Sequence, residues 1–431
     1  MKHSHRCLSG LLFLLLLFGF QAVSAAPLEL SLEASIRMAL QTNPVLKMAE
    51  AGKEKSVWKE KEARAEKSLS IEFAHTTLRS DVPQSYVAAL APVSPYSYFK
   101  NQINASIPIY SGGKLESCIE QADLKQRIAE LQIEGRKEQL KLEVTTAYYE
   151  ILQARNLLEV ATRSVRDFTD HLQSVQKQYD TGTVALPDVL QTKVRLANAQ
   201  DNFIKARNNY DQSIYHFNTI IGLPIHSEIV LVDNLTYQSY TQSLDSCIND
   251  ALLHRPDMEE DKTVVELTQE QVRGVQSGKR PTMSLNVTNY WDDTKFSGTK
   301  NSKWATSLTA KWNVFDSGLT EAKLKQARYE MISAREQARQ TRDTITLEVS
   351  QSYQNMQEAE KRIETNTVAV EQGEVDFRLA KERYETGFGT NLDVIDAELA
   401  LIQAKTNYAQ AQYDYHIAKA QLDKAMGVSV E

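Results

Sequence analysis

Cysteine is scarce: the 431 residues hold three, and Cys7 precedes the first apolar run. A chain of this length folds without a disulfide framework, and the spacing of Cys118 and Cys247 leaves open whether they meet. Long apolar runs are missing beyond the N-terminus, so no segment reads as a transmembrane helix, which needs about 20 such residues. An excess of positive charge is missing too. A net charge of −7 and the lack of a basic stripe argue against a nucleic-acid partner. His75, His171, His216, His226, His254 and His416 have no metal-ligand spacing. No Walker loop, dinucleotide fingerprint, nucleophile elbow or HExxH occurs. Neither a cofactor nor an enzymatic activity is expected. Proline is absent from Ile109 to Leu186 and again after Pro281, which leaves two long windows free of helix breakers.

What is present begins with a leader. Lys2 and Arg6 precede the apolar run Leu8–Phe20, and Val23-Ser24-Ala25 follows with small residues. Residues 1–25 therefore read as a secretory signal peptide, with cleavage after Ala25 or Ala26 and no lipid anchor on the mature chain.

The rest is written twice. Tyr179-Asp180-Thr181-Gly182 returns as Tyr384-Glu385-Thr386-Gly387, at an offset of 205. The same offset links Asp188-Val189-Leu190 to Asp393-Val394-Ile395, Tyr148 to Tyr353, Gly113 to Gly318 and Gly222 to Gly427. Asn43-Pro44 and Arg255-Pro256 stand 212 apart, so the first half carries seven extra residues, assigned to the Pro-rich surface loop Asp81–Pro95. The expected domains are a first repeat over 26–222, a linker over 223–243 with a side strand in Glu228–Tyr240, and a second repeat over 244–431.

Each half has the same order of elements. A short helix (Ser31–Gln41, capped by Ser31; Leu244–Leu253) precedes one opening at Pro44 or Pro256. Two strands follow, then a very long helix, a tight glycine turn and a returning helix. Gly113–Asp180 and Gly318–Glu385 are rich in helix formers, and each would span about 100 Å at 1.5 Å per residue. Paired with Asp188–Ile221 and Asn391–Met426, they predict long antiparallel coiled-coil hairpins, with Tyr148 and Tyr353 in the seams.

The strands alternate. Ile103, Ala105, Ile107 and Ile109 oppose Gln102, Asn104 and Ser106; Met283, Leu285, Val287 and Trp291 oppose Thr282, Ser284, Asn286 and Thr288. In the fourth, Trp304, Leu308, Ala310, Trp312 and Val314 oppose Lys303, Ser307, Thr309 and Lys311; the first, around Ile71 and Phe73, is less regular. Such alternation marks a membrane β-barrel or the half-buried strands of a soluble sandwich. On one tilted strand Trp304 and Trp312 would stand roughly 20 Å apart along the membrane normal, near the spacing of two aromatic girdles. Trp291 joins them as a girdle candidate. Four strands cannot close around a pore, and open edges are not tolerated in lipid, so other copies of the chain must complete the sheet.

Leu30-Ser31-Leu32-Glu33-Ala34-Ser35 through Asn43-Pro44, the joints Ile107–Gly113 and Trp312–Gly318, and the duplicated Tyr-x-x-Gly tips together resemble the TolC-like outer-membrane efflux proteins. The resemblance spans nearly the whole mature chain. It implies a mainly α fold in which a homotrimer closes a twelve-stranded β-barrel in outer-membrane lipid and a helical barrel in the periplasm of a Gram-negative bacterium. It also implies a passive exit duct for small molecules or polypeptides, partnered by a periplasmic adaptor and an energised inner-membrane pump. Gly112, Gly113 and Gly318 would turn strand into helix, and Gly182, Gly387 and Gly389 would form the tip turns.

By the same resemblance Asp393 and Asp396 match an acidic ring that narrows the periplasmic aperture. Asp188 and Tyr384 match a hydrogen-bonded pair that closes the tips. The pattern departs where some members place an arginine after the glycine of the second tip, here Gly389, and where Pro187 replaces a hydroxyl residue. Asp188 and Asp393 also suit a plain helix-start role, since acids favour the positive end of a helix. Asp396 has Gln191 as its repeat equivalent and sits three residues from a like charge, so local stability does not explain it. A periplasmic coiled-coil scaffold without a pore is the rival reading; it accounts for the hairpins but not for the alternating strands.

Overall fold

The computed structural model describes residues 28–80, 96–233, 235, 237, 239–293, 295–296 and 302–428. The leader, Cys7 and the Pro-rich stretch Asp81–Pro95 lie outside the described residues. The order is β1 (Leu28–Leu30), α1 (Leu32–Thr42), α2 (Pro44–Ala65), β2 (Ser70–Ser80), β3 (Tyr96–Tyr110), α3 (Lys114–Asp180), α4 (Leu186–Ile221) and β4 (Ile229–Leu231). It continues with α5 (Leu244–His254), α6 (Pro256–Gln276), β5 (Thr282–Asp293), β6 (Lys303–Lys311), α7 (Leu319–Glu385) and α8 (Asn391–Ala425).

Local chemistry sets these boundaries. Ser31 caps α1 by accepting the Ala34 N–H, and Ser243 caps α5 by accepting that of Ser246. Asn43 caps α2 through the Val45 N–H, with Pro44 in the first turn; Arg255 takes its place before α6 and gives no side-chain cap. Instead it is buried and pairs with Asp257 and Glu348, each at 2.5 Å.

α3 and α7 are 67 residues each, and α4 and α8 return along them as 36 and 35 residues. The hairpins meet where α8 packs on α3, while α2 and α6 pack beside the first halves of α3 and α7. One core gathers Tyr148, Ile151, Leu152, Phe217 and Ile221 around Leu30, and its counterpart gathers Ile345, Met356, Tyr415 and Leu422 around Cys247. Burying each such large side chain stabilises by about 1.5–3 kcal/mol. Parallel pairing of β1 with β4 ties the N-terminus to the segment between the halves. Cys118 is half-buried, Cys247 is buried, and both are free thiols.

β2, β3, β5 and β6 form one antiparallel sheet in that order. The register aligns Ile71, Ala105, Val287 and Thr306 in one row and Phe73, Ile103, Asn289 and Trp304 in another. Opposite faces therefore separate by chemistry: Ile71, Phe73, Ile103, Leu285, Val287 and Leu308 on one, and Glu72, Asn104, Ser106, Asn286, Thr288 and Ser307 on the other. The apolar side is exposed in the single chain, with Ile71, Phe73, Trp304 and Leu308 at 60% or more. β2 and β6 are the edges. Among the described residues no helix is long and apolar enough to cross a membrane.

One strand differs from the sequence expectation. β6 ends at Lys311, so Trp312 and Val314 lie beyond it, and the spacing of Trp304 and Trp312 is not a length along one strand. Trp312 Nε1 donates to the carbonyl of Lys279, 3.1 Å away, which holds the indole at the joint.

Candidate functional site

At the joints the chain turns from strand to helix within a few residues. Gly112 has φ +69°, and a Cβ there would meet Arg280 Cβ and the Ser277 carbonyl at 3.1 Å. Glycine is therefore required sterically as well as conformationally. The Arg280 guanidinium donates to the Gly112 carbonyl and fastens the joint to the start of β5. Gly113 and Gly318 stand at the N-caps of α3 and α7, with φ +97° and +85°. In the second joint Ser317 occupies the place of Gly112 and keeps a positive φ of 52°. Asp316 compensates there by accepting the N–H groups of Gly318 and Thr320.

Both hairpins turn by the same device. Gly387 N–H bonds to the Tyr384 carbonyl and Phe388 N–H to that of Arg383, as Gly182 and Thr183 do with Tyr179 and Gln178. This is the Schellman pattern, and it needs the left-handed φ of +76° at Gly182 and +81° at Gly387. Gly389 has another reason to be glycine: a Cβ would lie 3.0 Å from the Tyr384 nitrogen and 3.2 Å from the Arg383 carbonyl carbon.

The acids near the tip separate by role. Asp393 completes a capping box with Thr390, each side chain accepting the other's main-chain N–H. The Thr390 main-chain N–H, and then its side chain, hold the Asp393 carboxyl below the usual carboxylate range. Asp396 is exposed one turn on and outside that box, while Val394, Ile395, Ala397 and Glu398 between and beyond them are buried. The two carboxylates thus share the open side of α8.

Asp188 and Tyr384 are neighbours without the expected hydrogen bond. Tyr384 is 3% exposed and its hydroxyl has no partner among the described residues. Burial pushes it up, and the Asp188 charge adds to that. What Asp188 supplies is its main-chain carbonyl, which accepts from Asn391 Nδ2 and Thr192 Oγ1. Asn391, the first residue of α8, is the tie: its Oδ1 lies 2.8 Å from His171 Nε2 and 3.1 Å from Thr192 Oγ1. An amide oxygen accepts, so the His171 proton sits on Nε2. The imidazole also meets the Tyr384 ring edge-on at 5.1 Å. Sequence reasoning missed His171, Asn391 and Thr192. The signal available was that the duplication does not repeat them: Leu186 stands for Asn391 and Asp376 for His171. The chemistry on hand is steric and electrostatic, namely a tied helical tip with paired carboxylates on its open side.

The profile of the family described as "Outer membrane efflux protein" matches residues 35–223 and 247–428. Outer membrane protein TolC of Escherichia coli (strain K12) is 24% identical over 302 residues, covering 67% of this chain and 61% of that protein. Alkaline protease secretion protein AprF of Pseudomonas aeruginosa is 24% identical over 305 residues, covering 68% and 62%. The matched region thus spans about three-fifths of these relatives' length. The crystal structure of the outer membrane protein VceC from Vibrio cholerae superposes with a TM-score of 0.81 at 20% identity, covering 93% of this chain and 97% of that one.

Proposed function

The chain belongs to the outer membrane efflux protein family, and from that premise we propose that it is one protomer of a trimeric exit duct for small molecules or polypeptides. Its location is the outer membrane of a Gram-negative bacterium. Three copies of the sheet supply a twelve-stranded barrel, and three pairs of hairpins supply a helical barrel beneath it. Residues 1–25 are the leader, 26–222 and 244–431 the two repeats, and 223–243 the segment between them.

The observation that carries this reading is the sheet. It has a mainly apolar side, interrupted by Asn289 and Thr306, and a mainly polar side, and it has two open edges. Unpaired main-chain groups are not sustained in lipid, so the edges call for neighbours, and the apolar side suits the acyl chains. A soluble scaffold would leave that side in water. Trp291 and Trp304 lie on the apolar side, where aromatic residues mark a membrane boundary.

The duct is passive: energy enters from an inner-membrane pump coupled through a periplasmic adaptor, and the chain itself transforms no substrate. The hairpin tips are the periplasmic mouth, tied by Asn391, His171, Thr192 and the Asp188 carbonyl around Tyr384. Asp393 and Asp396 set the charge of the aperture.

Planar-bilayer conductance of the detergent-purified protein, with its mass measured by light scattering, tests the proposal. A trimer with discrete cation-selective channels is expected. A water-soluble monomer without conductance would instead favour the scaffold.

A further inference from the structure

Glu398 lies on the inner side of α8, two residues past Asp396, and is 2% exposed. Neither carboxylate oxygen has a hydrogen-bond partner among the described residues. Ile395 and Ile402 flank it on the same helix face, and that face packs on Val165 and Phe168 of α3. The charges that act on it come from both neighbouring helices: Asp167 of α3 and Lys381 of α7. Duplication does not account for the acid, because the equivalent residue of the first hairpin is Lys193, which is exposed. A leucine would fill the seam without penalty, whereas an ionised carboxylate buried without partners is strongly disfavoured.

We propose that Glu398 is a proton-dependent latch: as a neutral acid it lets α8 lie against α3 and α7 above the tip, and its ionisation drives that seam apart. Burial, reinforced by the Asp167 charge and opposed by Lys381, pushes Glu398 from 4.5 up to about 9. The packed seam therefore holds a proton that the opened seam releases. Seam stability from this group is full below 4.5 and is lost as pH rises toward 9, with the opening constant growing about tenfold per pH unit. That the opened seam widens a mouth rests on the channel reading; the latch itself does not.

Hydrogen–deuterium exchange of the detergent-purified oligomer decides it. Peptides over 391–405 are followed from about pH 6.5 to about pH 8.5 and corrected for the intrinsic rate, so that a change reports opening. In the native chain opening should rise about tenfold per unit. In Glu398→Gln, a neutral isostere, it should be flat and lower at the alkaline end. In Asp167→Asn, where a neighbouring charge is lost, the rise should level off at a lower pH. A flat native profile, or the same slope in Glu398→Gln, overturns the latch. Should Glu398→Gln fail to fold, the native and Asp167→Asn profiles still decide. An oligomer that shows the slope but passes no ions overturns the channel reading and leaves the latch standing.

Discussion

Tyr148 and Tyr353, 205 residues apart, make the same hydrogen bond in the two halves of the chain. Tyr148 Oη donates to the Leu30 carbonyl and Tyr353 Oη to that of Gln242, in each case the residue before the N-cap of a short helix. The long helices are thus pinned to the segments that cross their flanks. The two sites differ in that Tyr148 is fully buried and also reaches Asp233 Oδ2 at 2.6 Å. Tyr148→Phe is expected to lower stability by about 1–3 kcal/mol, and Tyr353→Phe by less, because only the first removes a buried hydroxyl that also bonds to a carboxylate. Thermal unfolding of both variants in detergent checks this; equal losses would show that Asp233 contributes nothing.

Asp396 stands free of the capping box that engages Asp393. Asp396→Asn should therefore lower the cation-over-anion permeability ratio without moving the melting temperature. Asp393→Ala should do both, losing a helix start worth about 0.5–2 kcal/mol. Reversal potentials under a salt gradient, read beside thermal melts, separate the two. An unchanged ratio in Asp396→Asn would remove it from the aperture.

By the resemblance drawn from the sequence, Gly389 answers to an arginine of some members, and a Cβ there would crowd the tip turn. Gly389→Arg must displace the backbone of Arg383 or Tyr384 by a few tenths of an ångström. Overpacking of this kind typically costs about 1–3 kcal/mol. Faster exchange at the second tip is the expected result, and slower exchange would mean that the arginine finds a latch partner in this chain after all.

His171 gives the tip an acid limb. Burial first, with Lys381 adding and the Asn391 contact opposing, holds its imidazole below 6.5. A base depressed in the packed state binds fewer protons there than when exposed, so its share of tip stability is full above 6.5 and is lost on acidification. Glu398 acts with the opposite sign, so the two oppose each other in the native chain. The limb should emerge in Glu398→Gln as faster exchange over 391–405 below about pH 6.5, and disappear when His171→Gln is added. Persistence in the double variant would assign it elsewhere.

Much of the architecture could be read before any coordinates. Pro44 and Pro256 open α2 and α6, and the proline-free windows became α3 and α7 to within one residue of the expected starts. Helix starts, turns and strand alternation are local properties, and the duplication wrote each of them twice. The tip contacts were not legible because they depend on how far one hairpin slides along the other. A sequence lists His171, Asn391 and Glu398 as polar residues on helices; only the register of α8 on α3 turns them inward. Trp312 failed for a related reason. Its alternation continues that of β6, but a non-local hydrogen bond to Lys279 takes it out of the ladder.

The two unpaired edges, β2 and β6, have a genetic consequence. In the closed trimer proposed above each edge is completed by a neighbour, so a copy with a damaged edge strand spoils the ring it joins and not merely itself. Edge lesions should behave as dominant. With half of all copies damaged, about one three-membered ring in eight is wholly intact. Loss of the entire chain would instead be recessive, and the contrast between the two kinds of allele reports assembly in living cells.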